Sequence, residues 1–193
     1  GRPKGVVYTH RGAYLAALGM VMTHQYTRDS VYLWTLPMFH CSGWCTGWAA
    51  MAASSTQIAL RAVRGPEMWR LIDEEGVSNL CGAPAVLTTL VNAEEAHEVT
   101  NLMIATAGAP PSPTVIGACE DLGIDIIHVY GLTETYGPTV ACAPQPAWKE
   151  LSTAERAKLK SRQGIAMVTS EEVRVVEQIP KHSPADVQLV DVP

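Results

Sequence analysis

A chain of 193 residues with 47% hydrophobic and 17% charged side chains can bury a core and is too apolar for intrinsic disorder. Its 14 basic and 19 acidic residues give a net charge of −5 with no long basic run, which argues against nucleic acid as a partner. No apolar stretch approaches the ~18 residues that span a bilayer, so no transmembrane segment is expected, and no signal-peptide pattern is present.

In chain order, Gly5–Tyr8 (GVVY) reads as a strand, and Arg11–His24 carries Ala, Leu and Met at helical spacing. Val31–Leu36 is strand-like and stops at Pro37. The small-residue stretch from Trp44 to Ala53 predicts a helix, and Thr56–Leu60 a strand. GPEMWRLIDEEG has Pro66 in its first turn and Gly76 at its end, the asymmetry of a helix with clear bounds. Strands at Val77–Cys81, Leu102–Thr106 and Asp125–Val129 then alternate with helices at Pro84–Asn92 and Pro113–Leu122. Repeated strand–helix units of this length predict an α/β fold with a parallel sheet covered by helices. After about residue 140 the alternation fades: a loop at APQPAW, a charged helix ending near Gly164, and a strand at Glu171–Glu177.

Five cysteines (Cys41, Cys45, Cys81, Cys119, Cys142) leave one over after any pairing, with no C-x-x-C pair and no zinc spacing. Reduced, buried thiols of an intracellular protein are expected, a metal or disulfide site being the alternative.

Two stretches could carry chemistry. In GRPKG, Gly1 and Gly5 free the backbone and Lys4 offers an ammonium to phosphate oxygens; on these five residues alone an exposed Pro-Lys turn is the favoured reading. The Walker A spacing is absent. HVYGLTETYGP (His128–Pro138) follows a strand, and ligands bind at the carboxyl ends of parallel strands. It presents a ring that can stack on a purine (Tyr130), a hydroxyl (Thr133) and a hard carboxylate oxygen suited to Mg²⁺ (Glu134).

Together with LPMFH (Leu36–His40) and TAGAPPSP (Thr106–Pro113), these stretches resemble, in order and spacing, the signatures of the adenylate-forming superfamily. GRPKG matches the second half of its phosphate loop, YGLTE its most specific signature and LPMFH its acid-site motif. HRGAYL, VYLWTLPMFHCSGWC and GLTETYGP are most similar to short- or medium-chain and aromatic acid–CoA ligases, plant acyl-activating enzymes among them.

The resemblance implies activation of a carboxylic acid with ATP and Mg²⁺, then transfer to CoA. It implies nucleotide contacts from Gly1, Lys4, Gly5, Gly108, Ala109, Pro110, Tyr130, Gly131 and Thr133, with Tyr130 stacked on adenine. Lys4, Thr133 and Glu134 would be catalytic, Glu134 as the metal ligand. His40, Trp44, Gly82 and Ala83 would form the acid site, although His40 could be a core histidine and Trp44 plain packing. Thr135, Tyr136 and His128 flank the signature without an assigned role. No T-G-D motif occurs in the 193 residues, so the chain is expected to be a central part of the large N-terminal domain, without the small C-terminal domain and its lysine. A cytoplasmic location is expected, or a peroxisomal or mitochondrial one in a eukaryote. A domain that loads a carrier protein, and a non-catalytic nucleotide-binding scaffold, are the alternative readings.

Overall fold

The computed structural model describes residues 5–170. Its centre is a seven-stranded sheet in the order β2-β1-β3-β4-β5-β6-β7. The strands are β1 (Val31–Trp34), β2 (Thr56–Ala59), β3 (Asn79–Gly82), β4 (Leu102–Thr106), β5 (Ile124–Leu132), β6 (Gly137–Cys142) and β7 (Ile165–Ala166). The first five are parallel, β6 runs antiparallel to β5, and β7 runs antiparallel to β6. The predicted α/β class with a mainly parallel sheet is what the structure has.

Both faces of the sheet are covered, so successive residues of one strand enter different cores. Leu33, Leu80, Ile104 and Ile126 face α4 (Gly65–Glu75), α5 (Pro84–Val91), α6 (Pro113–Asp121) and α7 (Thr153–Lys160). Their neighbours Tyr32, Cys81, Ala105 and Ile127 face α1 (His10–Thr23) and α3 (Thr46–Ala52). Trp69 anchors the first core, fully buried, with its indole N–H donating to the Leu90 carbonyl at 2.9 Å.

Helix ends follow the sequence signals. Thr9 caps α1 by accepting the Gly12 N–H at 3.0 Å, and Ser112 caps α6 through the Val115 N–H at 3.2 Å. Ser152 and Glu155 form a capping box on α7.

The exceptions concern the site. Gly5–Tyr8 is not a strand: its β-branched run has no partner strand among the described residues, and side-chain contacts hold it instead. The predicted helix from Trp44 begins only at Thr46, because the preceding turn, α2 (Cys41–Trp44), is left-handed. Cys41, Ser42, Gly43, Trp44 and Cys45 all have φ between 46° and 65°. The last predicted parallel strand runs three residues further, to Leu132, because β6 pairs with its far end. The sheet does not fade near residue 140; β6 and β7 complete it, and α7 stops at Lys160. The predicted strand at 171–177 lies outside the described residues. No helix among the described residues is long and apolar enough to cross a membrane.

His24, just after α1, is 2% exposed, and neither ring nitrogen has a hydrogen-bond partner among the described residues. Burial pushes its pKa down from 6.5 to about 4. The unfolded chain therefore takes up this proton first as pH falls, and the folded state loses stability progressively between pH 6.5 and 4. Replacing His24 with Phe, which has no proton to gain, is expected to flatten that part of the profile in urea unfolding at stepped pH.

Candidate active site

The parallel strands β1, β3, β4 and β5 all end at one edge of the sheet, so the segments after them must meet there. They enclose a cavity of ≈ 450 Å³. His40 and Trp44 follow β1, Gly82 and Ala83 end β3, Gly108 follows β4, and Gly131 comes from β5; all six line the cavity. The four acid-site residues and two of the nucleotide-site residues expected from sequence thus share one wall system.

Other expected residues stand outside that lining. Ala109 and Pro110 continue outward from Gly108, and Tyr130, Thr133 and Glu134 are exposed on the segment that carries Gly131. Gly5 is exposed, and Gly1 and Lys4 lie outside the described residues. His40 is exposed with its ring against Phe39, centroids 4.5 Å apart, so it is not a core histidine. Trp44 is 9% exposed, joins the second core and also lines the cavity.

The turn after β5 is built from its own residues. Ladder register shifts between Tyr130 and Gly131, a bulge that bends the strand over the cavity. A Cβ on Gly131 would overlap the Gly137 carbonyl, so no larger residue fits this crossing. The Thr135 hydroxyl accepts the Leu132 N–H at 2.8 Å and reaches the Gly137 carbonyl at 2.8 Å, bracing the 3₁₀ turn Thr133–Thr135. Thr133 Oγ1 lies 3.4 Å from the Cys41 sulfur, and Cys41 lines the cavity, which places Thr133 at the rim. The Glu134 carboxylate makes no ion pair among the described residues.

Sequence reasoning assigned nothing to Tyr8, Thr9 and Tyr136, which the structure joins at this turn. The Tyr8 hydroxyl donates to the Thr133 carbonyl at 2.6 Å, and the Tyr136 hydroxyl accepts the Thr9 N–H at 2.9 Å. Burial, helped by the neighbouring Cys41, raises the Tyr8 phenol to about 12, so it is a donor at neutral pH. Only the pairing of the distal strand β6 brings these residues together, and no local pattern announces it.

A second, larger cavity of ≈ 620 Å³ opens at the amino ends of β4 and β5. It contains none of the expected site residues and is lined in part by Glu120, Arg156 and Lys160. These three are already paired with one another, Lys160 to Glu120 at 2.7 Å and Arg156 to Glu120 at 3.3 Å. Among the described residues no group of three or more His, Cys, Asp or Glu is arranged to hold a metal ion.

Comparison with known proteins agrees with this geometry. The family described as "AMP-binding enzyme" matches residues 1–187. Acetate–CoA ligase CCL3 of Humulus lupulus is 42% identical over 189 residues, covering 95% of this chain and 33% of that protein. The peroxisomal acetate/butyrate–CoA ligase AAE7 of Arabidopsis thaliana gives the same figures. The chain spans about a third of the length of the curated relatives it matches. Among solved structures, the N-terminal domain of FACL13 from Mycobacterium tuberculosis superposes with a TM-score of 0.75 at 26% identity, covering 87% of this chain and 41% of that one. The fold alone is shared with o-succinylbenzoate–CoA synthetase of Bacillus subtilis in complex with ATP and magnesium, at TM-score 0.73 and 21% identity, over 87% of this chain and 34% of that one.

All five cysteines are free thiols, and four are buried. Burial pushes Cys45, Cys81 and Cys119 up to about 12 and also raises Cys142, so these thiols are not nucleophilic at neutral pH. With a thiol-reactive chromophore, one cysteine, Cys41 on the cavity wall, is expected to react quickly in the folded chain, and all five in denaturant.

Proposed function

The chain belongs to the AMP-binding enzyme family, and on that premise we propose that it is the phosphate- and acid-binding part of an AMP-forming acid–CoA ligase. The observation that carries this reading is the convergence of four motif-bearing segments on one cavity at the carboxyl edge of the sheet, with Thr133 at its rim. CoA-ligase names among the relatives support the same reaction class. The substrate is a short- or medium-chain or aromatic carboxylic acid, held by His40, Trp44, Gly82 and Ala83.

A carboxylate is a poor electrophile, so the acid must first be activated. Its oxygen attacks the α-phosphorus of ATP, the bond to the β-phosphate oxygen breaks, and pyrophosphate leaves. The thiol of CoA then attacks the acyl carbon and expels AMP. Two anions must meet in the first step, and the residues proposed for it supply charge and orientation. In this reading Lys4 supplies positive charge to the phosphates, Thr133 donates to one of them, Gly131 contributes to the nucleotide site, and Gly108, Ala109 and Pro110 lie along the adenine with Tyr130 stacked on its ring.

Magnesium, when bound, would neutralise phosphate charge as a Lewis acid. The Glu134 carboxylate, exposed and without an ion pair among the described residues, fits it: Mg²⁺ commonly takes one or two protein carboxylates and completes its shell with phosphate oxygens and water. No cysteine is needed as a covalent nucleophile. Residues 1–193 form part of one AMP-binding domain in this reading. The ribose-holding aspartate and the small C-terminal domain would be supplied by polypeptide outside them.

In the full reading frame that encodes this chain, Glu134→Ala is expected to lower acid-dependent ATP–pyrophosphate exchange by roughly 10²–10³-fold, with the melting temperature retained because the side chain is exposed. Unchanged exchange would remove Glu134 from the magnesium site, whereas a wild type that binds ATP but shows no exchange with any acid would favour a non-catalytic nucleotide-binding scaffold. A panel of acids assayed for AMP release identifies the substrate.

A further inference from the structure

Tyr136 occupies a backbone position that an L-residue adopts reluctantly, φ 62° and ψ 20°. Glycine or asparagine would be easier there, so the side chain must have a use. Its hydroxyl accepts the Thr9 N–H at 2.9 Å and lies 3.1 Å from the Thr9 hydroxyl. Its ring lies against Tyr8, centroids 4.3 Å apart at 30°. Gly12 leaves room for that ring; a Cβ there would collide with it. On the backbone side, the Tyr136 N–H donates to the Thr133 carbonyl at 3.1 Å, and its own carbonyl accepts the Cys45 thiol. The Tyr8 hydroxyl donates to the same Thr133 carbonyl.

One residue therefore touches three parts of the site: the segment that follows the GRPKG loop, the Thr133–Glu134 turn, and the wall that carries Trp44. We propose that Tyr136, seconded by Tyr8, is a positioning residue that docks the tail of the phosphate loop onto the Thr133–Glu134 turn, so that both address the same ATP phosphates. The inference rests on the ligase reading above. Neither tyrosine contacts ATP in this scheme; each acts through the segment it holds. The two hydroxyls touch only Thr9 and the Thr133 carbonyl, while Tyr136 reaches the Trp44 wall through its backbone carbonyl, so removing the hydroxyls leaves the acid-site contacts in place.

The test uses the full reading frame as wild type, Tyr136→Phe, Tyr8→Phe and the double variant. Calorimetric titration with ATP and Mg²⁺ is read beside acid-dependent ATP–pyrophosphate exchange and thermal melting. Phenylalanine keeps each ring and removes only the hydroxyl. Tyr136→Phe is expected to raise the Kd and KM for ATP by roughly tenfold, with the KM for the acid changed by less than about twofold. Tyr8→Phe should act in the same direction, and the double variant should fall short of the sum because the two act as one unit. ATP affinity unchanged in both single variants would overturn the proposal. Equal increases in both KM values, or a loss that follows a fall in melting temperature, would show a merely structural role and also overturn it. If Tyr136→Phe does not fold, the ATP titration of Tyr8→Phe decides. Wild type that binds ATP but shows no exchange with any acid refutes the ligase reading, and the clasp is then judged on the binding titration. Wild type that does not bind ATP overturns both.

Discussion

The pairing of β5 with β6 is the constraint on which the rest of the site depends. Up to His128, β5 is held by β4 on one side; beyond it, the ladder from Tyr130 to Leu132 is made with β6 alone. Parallel neighbours would have released the chain at the common edge. The antiparallel partner instead carries it four residues further, to Leu132, and turns it back over the cavity. The Gly131 crossing, the 3₁₀ turn and the exposed Glu134 all follow from that reversal. A sheet that stayed parallel to its last strand would bring the same residues to the edge but leave them without a fixed direction.

The opposite end of the sheet is organised by different physics. Lys160 is 3% exposed and sits between Glu120 at 2.7 Å and Asp125 at 3.6 Å, tying α7 to α6 and to the start of β5. Removing one partner of such a buried pair costs about 3–5 kcal/mol, because the other charge is left uncompensated. Charges at this end neutralise one another within the fold. At the carboxyl edge, Thr133 and Glu134 face outward and Glu134 has no counter-charge among the described residues. Structural electrostatics and available electrostatics are thus kept at separate ends of the same strands.

Much of this was legible in the sequence where period and punctuation agree. The helix at Gly65–Glu75 was marked by Pro66 and Gly76, and the strand at Leu102–Thr106 by its apolar run, because both are decided locally and by burial on the sheet. Gly5–Tyr8 misled for the opposite reason: β-branched residues make a strand only beside a free ladder, and none is offered to it. Strands β6 and β7 were missed because GPTVAC opens with Gly and Pro, and Ile165–Ala166 is too short to show a period. Within the site, His40, Trp44, Gly82, Ala83, Gly108 and Gly131 could be placed together by motif. Tyr8 and Tyr136 could not, since 127 positions separate the partners Thr9 and Tyr136 and only tertiary pairing brings them together.

The left-handed turn at Cys41–Cys45 makes the cavity wall dependent on the rest of the fold. Chirality penalises such a turn by roughly 1–2 kcal/mol for each L-residue in it, and four of its five members carry a side chain. An isolated peptide of this sequence would wind the other way. The turn becomes favourable only once the Trp34 ring lies under Gly43 and the Tyr136 carbonyl is in place to take the Cys45 thiol. One support lies in β1 and the other in the turn just before β6, 102 positions apart in the sequence. The wall of the cavity is therefore stable only against the assembled sheet, and a chain without β6 would have the frame of the site without its mouth.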